Sequence, residues 1–323
     1  MRNYVNIILI IVINYSFASD QVPAPDQKHP ILLKNCIIHP VSSEVIRGGS
    51  ILFENGIITS VASRVANLPK NTEIIDLKGK HVYPGLIAAA SVIGLTEIGA
   101  VAVTRDYSER GEVNPNVRAE VAYNPDSEII PVTRSNGITL AHSCPTGGII
   151  SGTSAIMMLD GWTWEKATLK APAGLHINWP RMGTVDRWRH RVSEEDATKR
   201  REENLKKLDS AFDEARRYLV AKKADTGSGI IKHNKDLRWE AMVPVLNKEV
   251  PVFMHAGEIR QIISAVEWAN RQNVKIVIVG GYDAWRVADL LNKYKIPVIY
   301  EGVNSLPQRR WEDFDTPFTA PLK

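Results

Sequence analysis

Cysteine is nearly missing from this chain: only Cys36 and Cys144 occur in 323 residues. That excludes a disulfide-stapled scaffold, and the lack of any C-x-x-C pair excludes thioredoxin-like redox chemistry. Other local signatures are missing too. There is no G-x-S-x-G nucleophile turn, no H-E-x-x-H helix and no dinucleotide-binding glycine fingerprint. The glycine-rich stretch PTGGIISGTS (145–154) lacks the Gly-Lys-Ser/Thr ending of a phosphate loop, and a glycine turn returning a strand from Ser151 to Leu159 accounts for it. Charge of one sign is also in short supply. The formal net charge is +4, spread along the chain, which argues against a nucleic-acid partner. The richest basic run, Arg181 to Arg201, is followed by enough Glu and Asp to form a solvated face. No run reaches the roughly 20 apolar residues that a transmembrane helix needs.

What is present points first to export. Arg2 precedes an apolar run from Val5 to Ile13, and Ser16-Phe17-Ala18 places small residues where a signal peptidase reads. Residues 1–18 are expected to be a signal peptide cleaved after Ala18, leaving a periplasmic or extracellular protein. Export permits a disulfide, but a domain this large needs no staple, so two buried free thiols are the expectation. The 44% hydrophobic and 24% charged residues place the remainder among ordinary folded proteins rather than disordered ones.

Two textures follow. ILLKNCII, SILFENGIITSVA and TEIIDLKG carry β-branched residues between turn signals, with Asn55-Gly56 as a strong hairpin signal. Residues 30–82 are expected to form a small antiparallel β unit. Further on, VPVFMHA (250–256), KIVIVGG (275–281) and IPVIYEG (296–302) predict buried strands. The helical patterns IRQIISAVEWANRQN and DAWRVADLLNKY lie between them, which implies βαβ units and a parallel sheet. In the charged segment 185–223, Leu205, Leu208, Phe212, Ala215 and Leu219 recur at helical spacing. One long helix packed on an outer wall is expected there rather than a partner-binding arm.

These residues carry a resemblance. ILLKNCII…GGSILFENGIITSVA…IIDLKGKHVYPGLI, after a signal-like segment, is similar to the N-terminal part of the amidohydrolase superfamily, in particular its imidazolonepropionase-like exported branch. SNGITLAHSCPTGGIISGTSAIMMLDGWTWEKATLKAPAGLHINWP (135–180) also resembles a segment of that branch. The resemblance implies an α/β fold in which a small N-terminal β-sandwich (19–82) precedes a TIM-type (β/α) barrel (83–323). It implies hydrolysis of non-peptide carbon–nitrogen bonds with a metal-activated hydroxide. In the family a His-x-His pair follows the PG[LF]I turn, further histidines end strands 5 and 6, and an aspartate ends strand 8.

Carried across position by position, the pattern thins. Pro84, Gly85, Leu86 and Ile87 match, but Ala88 stands for the aspartate, Ala90 and Val92 for the His-x-His pair, and Gly280 with Gly281 for the strand 6 histidine. His255 matches the strand 5 histidine. The chain reaches Lys323 after a seventh strand, so the barrel is expected to be incomplete, lacking its last strand.

Zinc or another divalent metal is therefore expected only if a site is rebuilt from other residues. His142, His176 and His255 could line the barrel mouth and form one, although hydrogen-bonded structural histidines would look the same. Glu97, Asp106 or Glu109 could serve as a metal-free base, or simply be solvated. Asp283 reads as a helix N-cap. Two functions remain: an amidohydrolase-related enzyme, or a non-catalytic or truncated member. The second would bind a small ligand or a partner subunit, the latter as a homo- or hetero-oligomer covering the open barrel edge.

Overall fold

A computed structural model of the chain describes residues 22–182, 193–224 and 234–323. The signal-like segment and the first part of the charged segment lie outside these residues.

The N-terminal part is one five-stranded sheet: β1 (Ile31–Ile38), β2 (Ile46–Glu54), β3 (Ile57–Ala62), β4 (Glu73–Asp76) and β5 (His81–Val82). Its order is β3-β2-β1-β4, with β5 also paired to β1. The β2–β3 hairpin turns on Asn55 and Gly56 at φ 50° and 74°, the left-handed pair that such a two-residue turn demands. The sheet is not purely antiparallel as expected: β4 and β5 run parallel to β1. The connection from Ala62 to Glu73 is long enough to cross β2 and return alongside β1.

The larger sheet has seven strands: β6 (Leu86–Ser91), β7 (Ile138–Ser143), β8 (Ile150–Met158), β9 (Thr168–Asn178), β10 (Val252–Ala256), β11 (Ile276–Gly280) and β12 (Val298–Tyr300). They stand in sequence order, with β6 and β12 at the two ends, and form a nearly closed, barrel-like mixed sheet. Among the described residues, seven α-helices accompany them: α1 (Ile129–Ser135), α2 (Trp164–Ala167), α3 (Glu194–Ala224), α4 (Leu237–Leu246), α5 (Ile259–Gln272), α6 (Ala288–Lys293) and α7 (Thr316–Thr319).

The parallel expectation holds for β6 with β7 and for β9 through β12. β8 departs from an all-parallel barrel: it is antiparallel to both neighbours, in keeping with the glycine turn expected to return a strand from Ser151 to Leu159. Chain length explains the reversal. Ser143 and Ile150 are too close in sequence for a crossover, which needs about a dozen residues, so the chain can only turn back.

Strand alternation sorts the side chains of the sheet. Leu175, Ile177, Val252, Met254, Ile276 and Ile278 join a large core with residues of α3, α4 and α5. Within it the Phe212 ring meets Trp268 edge-on at 4.8 Å, and Trp268 Nε1 donates to Asp209 Oδ1 at 2.7 Å. The long helix is therefore a wall element, as its spacing predicts. The alternate residues of β9 and β10, His176, Phe253 and His255, face the other way, toward the barrel interior. A second core under β6–β8 gathers Leu95, Tyr123, Met157 and Leu159, with Ala88 and Val92 packed against it.

Candidate functional site

The three histidines singled out in the sequence come together on the interior face. His142 lies on β7, His176 on β9 and His255 on β10, and β9 and β10 are paired with Phe253 opposite His176. His176 Nδ1 is 2.9 Å from His255 Nε2, and His142 Nε2 is 2.7 Å from Ser154 Oγ on β8. The Phe253 ring stacks on His176 at 4.9 Å with 9° between the planes, and its centroid is 4.7 Å from that of His142. Gly174 makes room for this ring: a Cβ there would lie 2.3 Å from Phe253. His176 is fully buried and His142 nearly so.

Burial governs their titration. His142 and His255 are held down to about 4, the first by desolvation and then by nearby His255, the second by desolvation. His176 is held well below the ordinary histidine value, first by desolvation, with His255 and His142 adding to the effect. All three are neutral imidazoles near pH 7, which is the form that offers a lone pair to a cation.

The expected positions of the family metal centre do not supply donors. Ala90 sits at φ 48° where the β6–β7 register is irregular, and Val92 packs into the second core. On β11, register places Val279 beside His255 and Gly280 beside Ala256. None of these side chains has a lone pair for a metal, and His255 Nε2 is already within hydrogen-bond reach of His176. The residues at these positions do not fit the family's metal. A Ser154–His142 nucleophile pair is not supported either, because Ser154 is fully buried and its hydroxyl donates to Gly174 O at 3.3 Å.

The carboxylate candidates divide. Asp106 and Glu109 line a cleft of about 330 Å³ with Leu95, Tyr107, Arg118 and Pro145. Glu97 is not among its lining residues and instead accepts from Asn124 Nδ2 at 3.4 Å. The N-cap expected at Asp283 is not made to the 3-10 turn that follows it. The Arg309 guanidinium holds both carboxylate oxygens, at 2.8 and 2.5 Å, and Asp283 Oδ2 accepts the Ile259 N–H at the start of α5 instead.

Two residues escaped the sequence reading. Cys144, one residue beyond β7, offers a ligand atom within 4.8 Å of those of His142 and His176. Its thiol is pushed well above the ordinary cysteine range by burial and by the Glu301 carboxylate, partly offset by a backbone hydrogen bond at Ser91. Glu301, just past β12, has its own carboxyl raised by burial. Alternation along IPVIYEG places Ile299 and Glu301 on one face, a signal that was legible. Both cysteines are free and buried, in line with the expectation. Among the described residues no helix is long and apolar enough to cross a membrane.

No family model matches the chain, and no curated protein does. Among solved structures, an amidohydrolase from Thermotoga maritima MSB8 superposes at a TM-score of 0.75 and 26% identity, over 87% of this chain and 72% of that one. A prolidase complexed with N-methylphosphonate-L-proline reaches a TM-score of 0.40 at 16% identity, over 84% of this chain and 66% of that one. A dihydropyrimidinase from Brevibacillus agri NCHU1002 reaches 0.33 at 12%, over 91% and 60%. The last two superpositions are too loose to argue from. The barrel-like sheet and the Thermotoga likeness together support a place for this chain in the amidohydrolase superfamily.

Proposed function

We infer that this chain is an amidohydrolase-related protein that takes a small non-peptide carbon–nitrogen compound at its barrel mouth without the family's metal-dependent hydrolysis. One observation carries the reading: the Thermotoga likeness extends over 87% of the chain, yet Ala90, Val92 and Gly280 stand at three of the positions where the family resemblance calls for metal ligands. Without those donors no hydroxide is generated there at neutral pH. The cleft bordered by Asp106, Glu109, Arg118 and Pro145 gives a small molecule polar groups of both charges. The exported location remains part of this proposal and rests on residues 1–18.

The test is a panel of amides, cyclic imides and lactams offered to the purified protein with and without added zinc. Binding is followed by thermal shift and turnover by product release. Binding without turnover is expected. Turnover that requires zinc and disappears in His255→Ala would overturn the reading.

A partner subunit on the sheet edge is a second reading, favoured by Leu86 and Ile87. They are 60% and 57% exposed on the end strand β6, where unpaired backbone groups also await partners. Light scattering on the purified protein would show a dimer if that edge is covered by a second copy, and a monomer at high concentration would dismiss self-association.

A further inference from the structure

We propose that His142, Cys144 and His176 form a cation site of their own, separate from the family's metal positions, that takes one soft or borderline divalent ion such as zinc. The three ligand atoms lie within 4.8 Å of one another, and all three residues are buried. A tetrahedral zinc with bonds of about 2.0 Å to nitrogen and 2.3 Å to sulfur holds its ligands roughly 3.4–3.6 Å apart. The cluster therefore reaches that geometry with side-chain shifts on the order of 1 Å.

A second observation points to a ligand independently of this clustering. His176 Nε2 is buried and has no hydrogen-bond partner among the described residues, although the other nitrogen of the same ring meets His255. An imidazole nitrogen left alone in the interior is unfavourable whichever tautomer is present. With Nδ1–H donating to His255 Nε2, the unpartnered Nε2 presents a lone pair, which is the arrangement seen where one ring nitrogen binds metal and the other is held by a neighbour. Phe253 stacked on the ring fixes its plane.

The donor set selects the ion. One sulfur and two imidazole nitrogens favour zinc over magnesium or calcium, which want oxygen. On binding, the Cys144 thiol gives up its proton to solvent and a sulfur–metal bond forms, with no change of oxidation state. His142 and His176 stand on the two strands flanking β8, so the ion ties β7 to β9 across the strand between them. Its ligands are buried, so its contribution is to hold that part of the sheet, and it does not depend on the small-molecule reading above.

Cobalt(II), which reports on its ligands by absorption, tests the proposal. The full chain is stripped with a chelator and titrated with cobalt(II) and then zinc, with metal content measured after dialysis. One equivalent is expected, with tetrahedral cobalt bands and a sulfur-to-cobalt charge-transfer band. Cys36→Ala should retain that band. Cys144→Ala and His176→Ala should lose it or weaken affinity by at least about tenfold. If Cys144→Ala fails to fold by near-ultraviolet circular dichroism, zinc protection of Cys144 from a thiol reagent in the Cys36→Ala background replaces it. No cobalt binding by the wild-type chain, binding without a sulfur band, unchanged affinity in Cys144→Ala, or no protection by zinc would each overturn the site.

Discussion

His176 Nδ1 and His255 Nε2 lie 2.9 Å apart across the paired strands β9 and β10, joining residues 79 positions apart in the chain. One of these histidines occupies a position where the superfamily resemblance calls for a metal ligand, yet in this fold its ring nitrogen faces another imidazole.

His255→Ala should therefore act on stability. It removes the one hydrogen-bond partner that the buried His176 ring has among the described residues, leaving both ring nitrogens unsatisfied. A loss of about 1–3 kcal/mol is expected. Urea unfolding of the two proteins measures it, and an unchanged midpoint would show that His176 does not rely on this contact.

Gly174→Ala should disturb the same cluster from the other side. The added methyl would meet the Phe253 ring at 2.3 Å and the Pro251 carbonyl oxygen at 2.8 Å. Overpacking of this kind costs about 1–3 kcal/mol. Combining it with Phe253→Leu should recover part of the loss, and purely additive losses would argue against the clash.

Phe212→Ala tests whether α3 belongs to the wall of the barrel. The ring is fully buried against Trp268, so truncation should cost about 3–5 kcal/mol. A free-standing arm would lose far less, and urea unfolding separates the two.

Much of this was legible in the sequence, and the boundary is physical. The strands and helices from Val252 onward announced themselves because uniformly apolar strands and a one-sided helix carry strong periodic signals. The Asn55-Gly56 turn did so because its backbone tolerates few other residues. The return of β8 against β7 was legible in the glycine turn of PTGGIISGTS, whereas its second antiparallel pairing, with β9, was not, because alternation of residues says nothing of strand direction. Cys144 was hidden for a different reason: its ligand partners come from β7 and β9, and the distance that makes it interesting exists only after β8 has folded back between them. Asp283 looked like a cap because its own helix follows. What competes for it, Arg309, lies 26 residues on.

Acid should weaken the C-terminal region through Glu312. Burial alone would raise its carboxyl, but hydrogen bonds from Tyr282 and Arg309 outweigh this and hold it below the ordinary glutamate value. A depressed folded value contributes stability above the unfolded value of about 4.3, and that contribution disappears as pH falls through the lower folded value. Urea midpoints measured from pH 7 down to pH 3 should fall on the acid side. Glu312→Gln should flatten that fall, and an identical acid slope in the variant would rule Glu312 out as its source.

The three consecutive antiparallel strands β7, β8 and β9 also bear on how the molecule comes to exist. Parallel neighbours must wait for a long crossover to form, whereas these three pair through short connections within residues 138–178. His142 and His176 are thus brought together early and cheaply in loop-closure entropy, while His255 joins them only when distant chain docks onto β9. Loop-closure entropy favours assembling the histidine cluster in two stages, a local meander before a long-range strand.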